Sequence, residues 1–160
     1  QNNCFLQLMR VKSGTIQQIG LNILWDGGAT ISLITISKAR DMGLVGEPIK
    51  ISVVKVGGQK QEMSSYLYEL PVMDKEGNIV IFKVYGIDRI STEVSRKNLD
   101  NVRSLFKDLG HHDIHSPSRE IDVLIAFEYD GFHPVREQSN GHLLVLSNRF
   151  GRCIGGSHSL

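Results

Sequence analysis

Leu24-Trp25-Asp26-Gly27-Gly28-Ala29-Thr30 is the segment of this 160-residue chain best suited to chemistry. An apolar run delivers one carboxylate, Asp26, directly onto two glycines and an alanine. A strand holds such an acid rigidly, while Gly27, Gly28 and Ala29 let the backbone turn tightly and aim N–H groups at the carboxylate. A carboxylate so held can take a proton from water or, when protonated, donate a hydrogen bond to a carbonyl. Taken alone, Asp-Gly-Gly is also a common turn. The rest of the chain has to decide between the two readings.

Three further segments bear on that decision. Ile51 to Gln59 reads as a strand, a glycine tip and a returning strand, with Val56, Gly57, Gly58 and Gln59 at the tip. By itself it is an ordinary hairpin. Asp122-Val123-Leu124-Ile125-Ala126 is a second apolar run ending on a small residue, and Leu143 to Gly156 (LLVLSNRFGRCIGG) closes the chain. Asp130-Gly131-Phe132 also follows an apolar run, but no second glycine follows it, and it reads as a turn. His111, His112 and His115 form a His-His-x-x-His cluster whose only nearby acid is Asp113. With no thiol or carboxylate at regular ligand spacing, in a Ser/Pro stretch, it reads as a solvated loop rather than a zinc site. Cys4 and Cys153 match no metal spacing. They read as thiols in a reducing compartment, with a disulfide between the termini as the alternative.

The elements that must position these residues are mostly strands. Ile19, Leu21, Ile23 and Trp25 alternate within Ile16 to Trp25, the two-residue period of a half-buried strand ending at Asp26. Ile51 to Val56, Tyr66 to Val72, Ile79 to Tyr85, Ile121 to Ile125 and Leu143 to Leu146 read as further strands, with Phe150 to Ile154 pairing nearby. Asp74-Lys75-Glu76-Gly77-Asn78 is the turn of a hairpin. Two helices are expected. One covers Ser37 to Met42, with Thr35 or Ser37 as cap and Gly43 as stop. The other covers about Asn101 to Leu109, with Val102, Leu105, Phe106 and Leu109 on one face, Asp100 as cap and Gly110 as stop. Residues 91–119 are the most polar, an insertion (about 87–120) carrying that second helix.

The chain is long enough for one domain, residues 1–160, with a real core. Its composition, 41% hydrophobic and 22% charged, is that of a globular protein, and its formal charge of +1 gives no reason to expect nucleic acid or a membrane surface as partner. No apolar run approaches the ~20 residues of a membrane span, and the N-terminus lacks a signal-peptide pattern. Gln1-Asn2-Asn3 at the start suggests a piece of a longer polypeptide.

Asp26 with its glycines, the 51–59 hairpin, the 122–126 run and the 143–156 segment stand in the order found in retropepsin-like aspartic proteases. The chain resembles those of BEL/Pao retrotransposons over roughly residues 16 to 156. In that family Asp26 is the catalytic acid, Gly27, Gly28 and Ala29 its loop, and Val56 to Gln59 the flap that closes over substrate. Leu124, Ile125 and Ala126 correspond to a second motif packed beside the catalytic loop. The resemblance implies a mainly β, closed acid-protease barrel with one or two short helices and an active site on a homodimer two-fold axis. It implies a peptide or polyprotein substrate, no metal or organic cofactor, and an intracellular location, in the cytoplasm or in retrotransposon particles. Pepsin-like enzymes carry two such Asp motifs per chain. Here Asp26 alone sits in one, so two chains are needed per site.

Two positions depart from the family pattern. Gly27 stands where Thr or Ser is usual, a hydroxyl that bonds across the dimer axis, and Ala126 stands where glycine is usual. A retained fold that dimerises or binds peptides without cutting is the alternative these departures favour.

Overall fold

A computed structural model of the chain describes residues 2–54, 57–90, 106 and 120–159; for 2–4, 53, 54, 158 and 159 it gives the backbone. The architecture is mainly β. Strands β1 (Asn2–Phe5), β9 (Val135–Asn140), β10 (Leu143–Ser147) and β11 (Arg152–Ser159) form a four-stranded sheet in the order β1-β11-β10-β9. The larger sheet runs β2-β3-β8-β4-β7-β6-β5. Its members are β2 (Leu8–Ser13), β3 (Gly20–Trp25), β4 (Leu33–Thr35), β5 (Glu47–Val54), β6 (Lys60–Met73), β7 (Ile79–Ile87) and β8 (Val123–Ile125). A second pairing of β2, through Lys12 and Ser13 with Met73 and Val72 of β6, joins two non-neighbouring strands of that order.

Alternation explains β6 and β7 and fails for β3. In β6 the buried residues Tyr68, Leu70 and Val72 alternate with exposed or half-buried ones, and Phe82 and Val84 repeat the pattern on β7. In β3 every residue from Leu21 to Trp25 is buried, because β2 covers one edge and β8 the other while both faces meet core. The expected half-buried strand is therefore buried on both faces. It also starts at Gly20, four residues later than expected. Ile16 is fully exposed in a turn where Gln18 takes φ 49° and the Ser13 hydroxyl accepts from the Ile19 N–H at 2.9 Å.

The main core gathers Met9, Val11, Leu21, Ile23, Trp25, Ile34, Leu70, Val72, Phe82, Val84, Val123 and Ile125. Trp25 stacks on Phe150 at 5.8 Å and meets Phe82 edge-on at 6.2 Å. Such ring pairs add roughly 0.5–1.5 kcal/mol each beyond their burial, which anchors the strand that carries Asp26.

The first helix is α1 (Ile36–Asp41), one residue earlier than expected. Thr35 is its cap, its hydroxyl accepting from the Lys38 N–H, and Gly43 ends it at φ 68°, where a Cβ would be strained. The second helix, 101–109, lies outside the described residues apart from Phe106. The buried Phe106 ring packs with Leu143, Val145 and Ile154. Asp130-Gly131-Phe132, read as a turn, is the second of two short 3-10 turns that span Phe127–Phe132 across a kink at Tyr129. The strand expected over 150–154 runs instead as β11, beside β10 and β1. Cys153 on β11 is a free, buried thiol, pushed up to about 12 by burial.

Asp122 introduces a buried carboxylate beside β3. Its Oδ2 accepts from the Asn22 N–H at 2.8 Å, and Lys38 Nζ lies 3.8 Å from Oδ1. Burial raises its pKa, partly offset by the Asn22 N–H and by Lys38 and Arg10. A raised native pKa means the folded chain binds more protons than the unfolded one between the two values. Stability from this group is full below the ordinary carboxyl value and falls as pH rises through the native one. Asp122→Asn keeps an acceptor for Asn22 and removes the buried charge. Urea unfolding is expected to find it at least as stable as wild type at pH 7, with the difference vanishing near pH 3. A variant less stable than wild type at pH 7 would show that the Lys38 attraction outweighs desolvation.

Candidate active site

Asp26 stands where β3 ends, and three strands meet to hold it. β8 lies between β3 and β4, parallel to the first and antiparallel to the second, pairing Trp25 with Ile125 and Leu33 with Leu124. The link from β3 to β4 must therefore pass over the end of β8. The Asp26 N–H donates to the Ile125 carbonyl at 2.9 Å, and the Ala29 N–H donates to the Asp26 carbonyl at 3.2 Å. The Phe127 N–H donates to the Ala29 carbonyl at 3.1 Å. Ser32, fully buried, accepts from the Ala126 N–H through its hydroxyl at 2.9 Å. The Asp26 loop and the 124–126 run are thus tied together from both sides.

The carboxylate itself is half-buried, and its Oδ1 accepts from the Gly28 N–H at 2.9 Å. The loop glycines are exposed, and a Cβ at Gly27 would meet nothing within 4 Å. Position 27 can therefore take a side chain without disturbing this chain. At Gly28 a Cβ would sit 3.4 Å from Asp26 Oδ1. Ala126 is fully buried, its methyl packed in a cluster with Leu8, Leu24, Ile121 and Leu124. The alanine is accommodated here.

The expected hairpin forms, with longer strands than expected and its glycine tip in place. β5 pairs antiparallel with β6 from Glu47–Leu67 to Val54–Lys60, so the strand ends two residues before Val56, which lies outside the described residues. Gly57 at φ 98° and Gly58 at φ 83° supply the left-handed backbone of the tip, and Gln59 is exposed beside them. His111, His112 and His115 lie outside the described residues. Among the described residues, no group of three His, Cys, Asp or Glu side chains is placed to hold a metal. No helix of the described residues is long and apolar enough to cross a membrane.

Two residues missing from the sequence reading belong to the site's support. Ser32 is one. His133 is the other: its Nε2 lies 2.7 Å from the Ala126 carbonyl, and its ring meets Trp25 edge-on at 5.5 Å. Ser32 sits in a run of Ser, Thr and Ile residues, and His133 follows a turn, so neither carries a local signal. Exposed Phe127 flanks the loop through its bond to Ala29. Chemically, the arrangement presents one carboxylate per chain, oriented by a backbone N–H and open toward solvent at Gly27. Comparison of the chain with protein-family models, with curated proteins and with solved structures found no match.

Proposed function

We propose that this domain is a retropepsin-like aspartic endopeptidase of the retrotransposon polyprotein type. In this reading it works as a homodimer in which the Asp26 loops of two protomers meet on a two-fold axis. The observation that carries it is the seat of Asp26: strand end, Gly28 N–H on the carboxylate, and Ile125–Phe127 tied alongside. The double pairing of β2, with β3 and with β6, supports the closed-barrel part of the reading. The glycine-tipped β5–β6 hairpin supports the flap.

Two carboxylates brought within hydrogen-bond reach cannot both ionise cheaply, so the pair holds one proton. The ionised member takes a proton from a water molecule whose oxygen bonds to the scissile carbonyl carbon. The protonated member donates to the carbonyl oxygen and stabilises the charge that develops there. Collapse of the tetrahedral intermediate breaks the C–N bond, and the leaving nitrogen takes a proton from the pair. Every step uses water and carboxyl groups only.

Incubation with a peptide library from acidic to neutral pH, followed by mass spectrometry, is expected to find cleavage products that carry a new carboxyl and a new amine. No product at any pH from a preparation that dimerises would favour the second reading, a dimerisation or peptide-binding module that has lost cutting. Gly27 is the observation behind that reading, since it lacks the hydroxyl that could brace two loops across an axis.

A further inference from the structure

We infer that His133 is a positioning residue for the Asp26 site, clamping the 124–126 run and the Asp26 strand to each other from behind. A carbonyl oxygen can only accept, so the 2.7 Å contact to Ala126 requires a proton on His133 Nε2. Both the neutral Nε2–H form and the imidazolium meet that requirement, and the clamp does not depend on which is present. The ring's other contact is with Trp25, edge-on at 5.5 Å, the residue immediately before Asp26. One side chain therefore touches both arms that meet at the site.

The surroundings make this contact more than generic packing. Ala126 is fully buried, and all its backbone polar groups are occupied: the N–H by the Ser32 hydroxyl, the carbonyl by His133 and by the Tyr129 N–H at 3.2 Å. The two neighbours of Ala126 carry the bonds to the loop, Ile125 to Asp26 and Phe127 to Ala29. A shift of Ala126 would therefore move both bonds that seat the loop. His133 is itself fixed. Its N–H donates to Asp130, and the carbonyl of neighbouring Phe132 accepts from the Asn148 side chain at 3.0 Å, which ties the turn to the β10–β11 link.

The inference rests on the endopeptidase reading for its consequence for rate, while the clamp can be measured without activity. The variants are His133→Phe, which keeps a ring against Trp25 and removes the donor, and His133→Gln, whose amide nitrogen can reach the place of Nε2. Residue-resolved hydrogen exchange on the intact domain is the first readout. Protection of the Asp26 and Phe127 amides is expected to fall roughly tenfold in His133→Phe and to recover in His133→Gln, with β6–β7 amides unchanged. The second readout is steady-state cleavage at saturating dimer. There kcat is expected to fall about tenfold in His133→Phe with KM nearly constant, and to return in His133→Gln, because misplacing a reacting group taxes the chemical step. Unchanged exchange at Asp26 and Phe127 in His133→Phe would overturn the clamp. Altered exchange with kcat unchanged would overturn the positioning role. A wild-type protein that cuts no peptide, yet shows the exchange pattern, would leave the clamp standing and remove the endopeptidase reading instead.

Discussion

Asp26→Asn is expected to lose peptide cleavage by about a thousandfold or more while folding as the wild type does. The fold prediction follows from the local geometry. Asp26 is half-buried, its Oδ1 accepts from the Gly28 N–H, and an amide oxygen of the same shape can accept that bond. The bonds that seat the loop, Asp26 N–H to Ile125 and Phe127 N–H to Ala29, are backbone bonds that the substitution leaves in place. The chemistry does not survive, since an amide neither takes a proton from water nor gives one to the leaving nitrogen. General acid–base assistance is worth roughly 10²–10⁴-fold per positioned group, and both members of the pair are lost in a homodimer. Matching unfolding curves with cleavage at background is the expected pair of results. Cleavage that persists in Asp26→Asn would place the activity elsewhere on the chain.

Gly27→Thr is expected to tighten the dimer and raise cleavage. The side chain has room within its own protomer, since a Cβ at 27 meets nothing within 4 Å and the glycine has no left-handed backbone that a threonine would strain. On the proposed axis, each of two hydroxyls gains a hydrogen bond worth about 1 kcal/mol net, or roughly 1–2 kcal/mol per dimer. That corresponds to a dissociation constant about 5- to 30-fold lower. Below that constant, activity rises by the same factor because more dimer is assembled. At saturation any remaining gain reports better placement of the carboxylates. Sedimentation over a concentration range and cleavage at matching concentrations separate the two contributions. If wild type is silent and Gly27→Thr cuts, the natural domain is a weakened protease or binding module whose defect lies at this residue. Unchanged dimerisation and cleavage would mean that the loops are braced by some other contact.

What could be read in the sequence is what is local. The apolar run into Asp26-Gly27-Gly28, the glycine tip at 57–58, the 74–78 turn and the helix stop at Gly43 all rest on neighbours within a few residues. Each is found where it was expected, or within a few residues of it. The placement of β8 between β3 and β4 was not legible. It pairs Ile23 with Val123 and fastens Asn22 to Asp122 across a hundred residues, a contact that no period or turn residue announces. The same holds for Ser32 and His133, ordinary polar residues that gain meaning only when the chain brings Ala126 to them. β1, β2, β4 and β9 went unread for a different reason. β4 is three residues long, β9 is mostly exposed along its length, and neither leaves an alternation to detect. In β2 the buried Leu8, Met9 and Val11 break the alternation at its start. The burial of β3 on both faces is hard to read from sequence because a half-buried and a fully buried strand differ here only at Asn22 and Leu24. Asn22 is a polar residue of the kind expected on a solvent face, yet it is buried and its N–H is satisfied by the buried Asp122 carboxylate.

If one active site is built from two chains, each giving one Asp26, mixing active and inactive subunits will reveal it. Wild type and Asp26→Asn are combined at fixed total concentration, well above the dimer dissociation constant, and left to exchange subunits before cleavage is measured. If both carboxylates are required, only wild-type homodimers cut, and activity follows the square of the wild-type fraction, falling to about a quarter in an equal mixture. If each chain carries its own site, activity follows that fraction linearly and an equal mixture keeps about half. The quadratic curve is the expected result, and a straight line would rule out a site shared between two chains.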